Sequence, residues 1–115
     1  MINSTQFGEI IIDNKKYHQV LIIGDLIEER DYEKLQELFK TSHKIGGWEV
    51  ERLLSNNPEI IIIGTGQDGA MEVDKNLFKD KDIELIIAET PKAIEIYNEQ
   101  VKLGKKVNAL MHTTC

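Results

Sequence analysis

The fold is decided by residues 58–66, which read Pro-Glu-Ile-Ile-Ile-Ile-Gly-Thr-Gly. A continuous apolar run bounded by proline and glycine is typical of a β-strand that is buried on both faces. We therefore expect a strand over residues 59–63. Two further apolar runs, residues 83–88 and 107–111, predict a second and a third strand of the same kind.

Helical segments are predicted between these strands. From Asp31 onward, apolar residues recur at three- and four-residue spacing, as on one buried helix face: Tyr32, Leu35, Leu38 and Phe39. A second helix is predicted over residues 48–54 and is stopped by Asn57 and Pro58. A third opens at Thr90 as N-cap and Pro91 as first helical residue, and Gly104 fits its C-terminal cap. Its predicted apolar stripe is Ala93, Ile94, Tyr97 and Val101.

The N-terminal region carries a hairpin signal. Two β-branched runs, residues 9–13 and 17–23, flank Asn14-Lys15-Lys16. Residues 24–30 are ambiguous between a short strand and an irregular arm. Strands joined through helices imply right-handed crossovers, so the pattern predicts an α/β fold with a largely parallel sheet and an N-terminal hairpin as an addition.

Size and composition restrict the class of protein. The chain has 115 residues, which is one domain over residues 1–115, with 41% hydrophobic and 30% charged residues. Its net charge of -6 disfavours nucleic acid as a partner. The longest apolar run, residues 60–63, is too short to span a bilayer, and Cys115 is the single cysteine. We expect a cytoplasmic protein without membrane insertion, metal or cofactor.

The Gly-Thr-Gly loop, residues 64–69, is the first candidate site. Ligands of open α/β sheets settle beyond the carboxyl ends of strands, and glycine-rich backbone exposes N–H groups that cradle anions. Candidate binding residues are Gly64, Thr65, Gly66 and Gln67. The loop matches neither a Walker sequence nor a full dinucleotide fingerprint. The alternative is that the glycines only permit a tight exit from the strand.

Thr41-Ser42-His43 is the second candidate segment. We include Ser42 and His43 as candidate binding residues, with Ser42 facing Thr65 across a pocket. Adjacent side chains usually diverge, so Ser42 and His43 do not form a nucleophile–base pair by themselves, and no orienting carboxylate can be assigned. The hydroxyls instead fit helix capping. No catalytic residue is predicted.

The chain resembles a small α/β domain family of unknown biochemical function. Its members include the adipogenesis-associated domain-containing protein and a mitochondrial assembly factor of NADH:ubiquinone oxidoreductase. The similarity lies in residues 60–66 and in a C-terminal series: Thr90, Ala93, Tyr97, Asn98, Gly104, Lys105, Lys106, Val107 and Ala109. Residues 41–43 and 112–115 resemble archaeal members in particular. Lysine stands at 105 and 106, where arginine is common in the family.

This resemblance implies a three-layer fold with a mixed central sheet and an N-terminal β extension. It brings no catalytic mechanism. The roles of the eukaryotic members imply a non-enzymatic accessory module that binds a protein, and an exposed apolar patch near the N-terminal hairpin or Trp48 would fit this role. The alternative is a binding protein or enzyme for a small anionic ligand at the Gly-Thr-Gly loop. The sequence leaves the oligomeric state open.

Overall fold

A computed structural model of the protein describes residues 1–79 and 82–115. A short 3₁₀-helix covers Lys75–Phe78. The remaining elements, in chain order, are β1 (Ile2–Gln6), β2 (Glu9–Ile12), β3 (Lys15–Tyr17), β4 (Val20–Ile23), β5 (Leu26–Glu29), α1 (Tyr32–Phe39), α2 (Gly47–Leu53), β6 (Ile60–Thr65), β7 (Glu84–Ala88), α3 (Thr90–Lys102) and β8 (Val107–His112).

The central sheet has the strand order β5-β4-β8-β6-β7. Strand β6 is parallel to both of its neighbours, so that Ile62 pairs with Ile86 on one side and with Ala109 on the other. Strand β4 is antiparallel to β5 and to β8. The predicted α/β class and mixed sheet are therefore confirmed, and the three parallel strands are those that the apolar runs predicted.

The sheet is buried on both faces because side chains alternate along each strand. Ile62, Ala109 and Met111 face α3 and the N-terminal strands. Ile61, Ile63 and Leu110 lie in the second apolar cluster, which includes Leu53 of α2 and Phe78 of the 3₁₀-helix. The domain thus has three layers, with the central sheet in the middle.

The N-terminal extension differs from the predicted hairpin. It is a three-stranded antiparallel sheet of order β1-β2-β3, and its first strand was not predicted. The predicted strand over residues 17–23 is two strands, because the chain leaves the small sheet after Tyr17 and enters the central sheet at Val20. All four residues of β4 are buried, which explains why their apolar run is continuous.

The helix predictions need three corrections. Only Leu35 of α1 is buried, whereas Tyr32 and Leu38 are exposed. Val101 of α3 is also exposed. The N-cap of α3 is Glu89 rather than Thr90, because the Thr90 hydroxyl is used elsewhere in the core. Gly104 follows the end of α3 with a φ of +81°, as its predicted cap role requires.

Candidate functional site

The Gly-Thr-Gly loop follows β6 directly at the carboxyl end of the strand. Gly64 lies where α3 begins: a Cβ built on it would come within 2.7 Å of Met111 Sδ and 2.9 Å of Thr90 Oγ1. Only glycine therefore lets the first turn of α3 approach β6 so closely. The Thr90 hydroxyl joins the neighbouring strands here, since it accepts from the Gly66 N–H at 2.9 Å and donates to the His112 carbonyl.

Gly66 lets the Gly-Thr-Gly loop pass close to the backbone of residues 113–115. Its φ is +111°, and a Cβ at this position would collide with the carbonyl oxygen of Thr114. The Gln67 N–H donates to this carbonyl at 3.1 Å, and the N–H groups of Asp68 and Ala70 donate to the carbonyl of Cys115. Close packing therefore explains why both positions of the motif are occupied by glycine.

These hydrogen bonds use the same N–H groups that were predicted to bind an anion. The N–H groups of residues 66–70 all donate hydrogen bonds within the protein: Gly66 to Thr90, Gln67 to Thr114, Asp68 and Ala70 to Cys115, and Gly69 to Gly66. An anion would therefore have to displace residues 114 and 115 before it could accept from the loop. Anion binding at this loop stays a prediction, and the structure adds that requirement.

The other candidate residues lie near the same end of the sheet. The His43 ring meets the His112 ring edge-on, with 4.8 Å between ring centroids, and His112 pairs with Thr65 across β8 and β6. The Thr65 hydroxyl donates to the Ala88 carbonyl at 3.1 Å. Ser42 contributes its carbonyl oxygen, which accepts from Arg30 at 2.9 Å. The structure therefore brings His43 next to His112 and uses Thr65 and Ser42 in internal hydrogen bonds.

Gln67 has a role that its loop position did not predict. Its side-chain Nε2 donates to Thr5 Oγ1 at 3.0 Å, to the Gln6 carbonyl at 3.2 Å and to the Thr113 carbonyl at 3.1 Å. It thereby ties the β1–β2 turn to the carboxyl end of the central sheet. The Gly8 N–H adds a further bond to the Thr113 carbonyl at 2.9 Å.

A buried ion pair lies beside the two histidines. Arg30 and Glu49 are 3% and 0% exposed, and the guanidinium contacts both carboxylate oxygens, at 2.7 Å through Nε and 2.8 Å through Nη2. All five N–H donors of Arg30 are satisfied, the remaining three by Gln19 Oε1 and the carbonyl oxygens of Ser42 and Lys44. This geometry meets the condition under which a buried ion pair is tolerated, because every donor has a partner.

His112 extends this network into β8. Its Nδ1 lies 2.6 Å from Gln19 Oε1, and its Nε2 lies 3.2 Å from Thr114 Oγ1. Burial, together with the positive charges of Arg30 and His43, lowers the pKa of His112 to about 4. The ring is therefore neutral at pH 7 and fully hydrogen bonded. It shows the geometry of a structural histidine rather than that of a proton carrier open to a substrate.

Arg30, Glu49 and Gln19 were not identified by sequence reasoning. One signal for them exists: Glu49 precedes Leu53 by four residues, so both must lie on the same face of α2. Gln19 and Arg30 carry no such signal, because each stands at the end of a strand. Within residues 1–79 and 82–115, no three His, Cys, Asp or Glu side chains are grouped to hold a metal ion. In the same part of the chain, no helix is long and apolar enough to cross a membrane.

The fold and these contacts define a small α/β domain whose central glycine loop is closed by residues 113–115. The chain belongs to the family described as proteins of unknown function (DUF498/DUF598), whose model matches residues 2–112. The predicted membership of a family without known biochemical function is thereby confirmed.

Solved structures support this assignment. The protein MT938 is 32% identical, with a TM-score of 0.83 over 100% of this chain and 98% of that one. The conserved hypothetical protein PH1505 from Pyrococcus horikoshii OT3 is 30% identical, with a TM-score of 0.82 over 100% and 99%. A protein described as an outer membrane protein from Bartonella henselae is 19% identical, with a TM-score of 0.79 over 99% and 94%, and shares the fold.

Proposed function

We propose that this protein is a cytoplasmic, non-enzymatic accessory module that binds a protein partner through the β1–β2 turn, with Phe7 as the central contact. The observation that supports this proposal most is the exposure of Phe7. Its side chain is 69% exposed, although a phenylalanine gains most from burial. Trp48, the other aromatic residue that we considered for an interface, is half-buried and covered by the Lys34 ammonium at 4.5 Å from the ring centroid.

The turn that carries Phe7 is held in place on both sides. Gln67 Nε2 reaches the Gln6 carbonyl, and the Gly8 N–H reaches Thr113. The carbonyl of Gly8 contacts the ring nitrogen Nδ1 of His18 at 3.2 Å. The backbone on both sides of Phe7 is therefore fixed, and an aromatic side chain has only two χ angles to order on binding, so such residues contribute strongly to interfaces. The partner would offer an apolar pocket of the size of one aromatic ring.

The internal use of the polar side chains near the Gly-Thr-Gly loop supports a role without chemistry. The Thr65 hydroxyl and both ring nitrogens of His112 are occupied by protein contacts. The family resemblance supports an accessory role as well, since the adipogenesis-associated protein and the assembly factor act in regulation and assembly. We further propose an archaeal-type member, on the similarity of residues 41–43 and 112–115.

A photocrosslinking experiment tests this function. The photoreactive residue p-benzoylphenylalanine is placed at position 7, and a control protein carries it at position 38, where Leu38 is 60% exposed on α1. In extract of the source cell, position 7 should yield a discrete adduct that position 38 does not yield. Excess unlabelled wild type should compete for this adduct, and excess Phe7→Ser protein should not.

Two results would contradict the proposal. The first is the same set of adducts from both positions, which means non-specific contact. The second is a position-7 adduct that Phe7→Ser competes for as well as wild type does, because the aromatic ring would then contribute nothing. Far-UV circular dichroism of Phe7→Ser should match that of the wild type, since an exposed side chain is removed.

A further inference from the structure

A cavity of about 440 Å³ lies at the end of the central sheet opposite to the Gly-Thr-Gly loop. It is bounded by α3, by the start of β8 and by the β4–β5 turn at Gly24 and Asp25. Its volume lies within the range of small-molecule sites, about 300–1,000 Å³. Part of its wall is apolar, formed by Ile12, Ile27 and Val101.

Tyr97 gives this cavity an unusual polar group. The residue is only 7% exposed and lines the cavity, yet its hydroxyl makes no hydrogen bond to any residue within 1–79 and 82–115. Buried side-chain polar atoms fully shielded from solvent all have partners in this part of the chain, so the hydroxyl must be reached from the cavity. The hydroxyl therefore faces the cavity without a partner from the described part of the chain, and an occupant of the cavity can hydrogen bond to it.

Two acidic residues line the cavity together with Tyr97. Burial raises the pKa of the Tyr97 phenol, and the negative charges of Asp13 and Asp25, which line the same cavity, add to this shift. Asp13 already accepts a hydrogen bond from the backbone nitrogen of Met1 at 2.8 Å. Asp25 has no ion-pair partner in the described part of the chain. It is therefore the carboxylate left for a ligand.

Lys105 and Lys106 line the same cavity. Neither ammonium group is in an ion pair with a residue of the two described ranges. A carboxylate and two ammonium groups around an apolar wall match a molecule that carries opposite charges at its two ends. An ordinary anion would leave Asp25 unmatched, and an ordinary cation would leave both lysines unmatched.

We propose that the cavity beside Tyr97 binds a small zwitterion with an apolar body. The protonated amine of the ligand donates hydrogen bonds to the Asp25 carboxylate and to the Tyr97 hydroxyl oxygen. The anionic end contacts Lys105 and Lys106. The apolar body lies against Ile27 and Val101.

A matched series of three probes tests this assignment: 6-aminohexanoate, hexylamine and hexanoate. Each is titrated into ¹⁵N-labelled full-length protein while amide chemical shifts are recorded. A zwitterion of nine heavy atoms should saturate with a Kd on the order of a millimolar. The shifted amides should include Gly24, Asp25, Lys105 and Lys106. Hexylamine and hexanoate should each bind roughly fivefold or more weakly, because each lacks one charged contact.

Variants separate the contacts. Asp25→Asn should weaken the binding of 6-aminohexanoate and leave the binding of hexanoate unchanged. Lys105→Ala combined with Lys106→Ala should weaken the binding of 6-aminohexanoate and leave the binding of hexylamine unchanged. Glu51→Gln, and Lys75→Ala combined with Lys102→Ala, change exposed groups outside the cavity by the same charges and serve as controls. Tyr97→Phe removes only the hydroxyl, so it should weaken 6-aminohexanoate severalfold without lowering the melting temperature.

Three outcomes overturn the proposal. One is the absence of saturable shifts at the cavity with all three probes. Another is hexylamine or hexanoate binding as tightly as 6-aminohexanoate, which would remove the need for two charges. The third is a Tyr97→Phe protein that melts at a clearly lower temperature, because its hydroxyl would then have a partner within the protein.

Discussion

The side-chain amide of Asn98 is hydrogen bonded to both backbone polar groups of Ile2. Its Nδ2 donates to the Ile2 carbonyl at 2.8 Å, and its Oδ1 accepts from the Ile2 N–H at 2.9 Å. These are the bonds that a neighbouring strand would make. Asn98 therefore closes the free side of β1 and fastens the N-terminal sheet to α3, although 96 residues separate the two positions.

Replacing Asn98 by alanine should loosen the N-terminal sheet. Two hydrogen bonds contribute together about 2 kcal/mol, so urea unfolding should show a loss of about that size. Glu99→Ala, a change at the adjacent exposed position of α3, is the control and should cost little. Hydrogen exchange should accelerate in β1 more than in β6. Equal exchange in both strands would mean that Asn98 does not fasten the sheet.

This contact also explains why β1 escaped prediction. Residues 3–6 read Asn-Ser-Thr-Gln, which has no apolar alternation, and only Ile2 of the strand is buried. The strand exists because its backbone pairs with β2 and with one side chain from the far end of the sequence. Strands β6 and β8 were predictable because every residue in them is buried, so the apolar pattern alone defines them.

The sites were less predictable than the fold, for a related reason. The Gly-Thr-Gly loop was visible because its residues are contiguous, but its closure by Thr114 and Cys115 depends on tertiary packing. The Tyr97 cavity draws its charges from Asp25 and Lys105, which lie 80 positions apart. No spacing rule connects such residues. Lys105 and Lys106 drew notice as lysines where arginine is common in the family, and the Asp25 carboxylate drew none.

Breaking the buried ion pair should be costly. Glu49→Leu leaves the Arg30 guanidinium buried without its counter-charge, which typically costs about 3–5 kcal/mol. The double variant Arg30→Met, Glu49→Leu should be considerably more stable than the single one, since no uncompensated charge remains. Guanidinium chloride unfolding of the full cycle measures the coupling. A double variant no more stable than Glu49→Leu would mean that the pair is not coupled.

An exposed ion pair on α3 provides the control for the Arg30–Glu49 mutant cycle. Lys92 and Glu95 lie 3.3 Å apart on α3, with side chains 67% and 72% exposed. Glu95→Gln should leave the free energy of unfolding unchanged within error, because solvent screens this pair. A loss comparable to that of Glu49→Leu would attribute the effect to charge removal in general rather than to burial.

A comparison of alanine substitutions at Gly66 and Gly104 separates the cost of backbone strain from the cost of a steric collision. Both have positive φ values, +111° and +81°, but a Cβ on Gly104 would meet nothing within 4 Å. Gly104→Ala should therefore show conformational strain alone, about 1–2 kcal/mol. Gly66→Ala should lose roughly 1–3 kcal/mol more, since the new methyl group collides with the Thr114 carbonyl. Thermal unfolding of both proteins tests this order, and equal losses would rule out the collision.

The stability of the protein should depend on pH through His112. The pKa of this ring is lowered to about 4 in the folded state, chiefly by burial, and an unfolded histidine has a pKa of about 6.5. Between these values the unfolded chain binds more protons, so the free energy of unfolding rises with pH from 4 to 6.5 and then levels off. The contribution that is lost on acidification is about 3 kcal/mol. Urea unfolding at several pH values measures it.

The variant His112→Gln isolates this contribution from that of the carboxylates, which titrate in both proteins. The glutamine amide can still donate to Gln19, but it takes up no proton. The difference in unfolding free energy between wild type and variant should therefore shrink as the pH falls from 6.5 to 4. A difference that stays constant across this range would mean that His112 is protonated equally in both states. The buried network of Arg30, Gln19 and His112 would then have to admit a positive charge that its hydrogen bonds leave no room for.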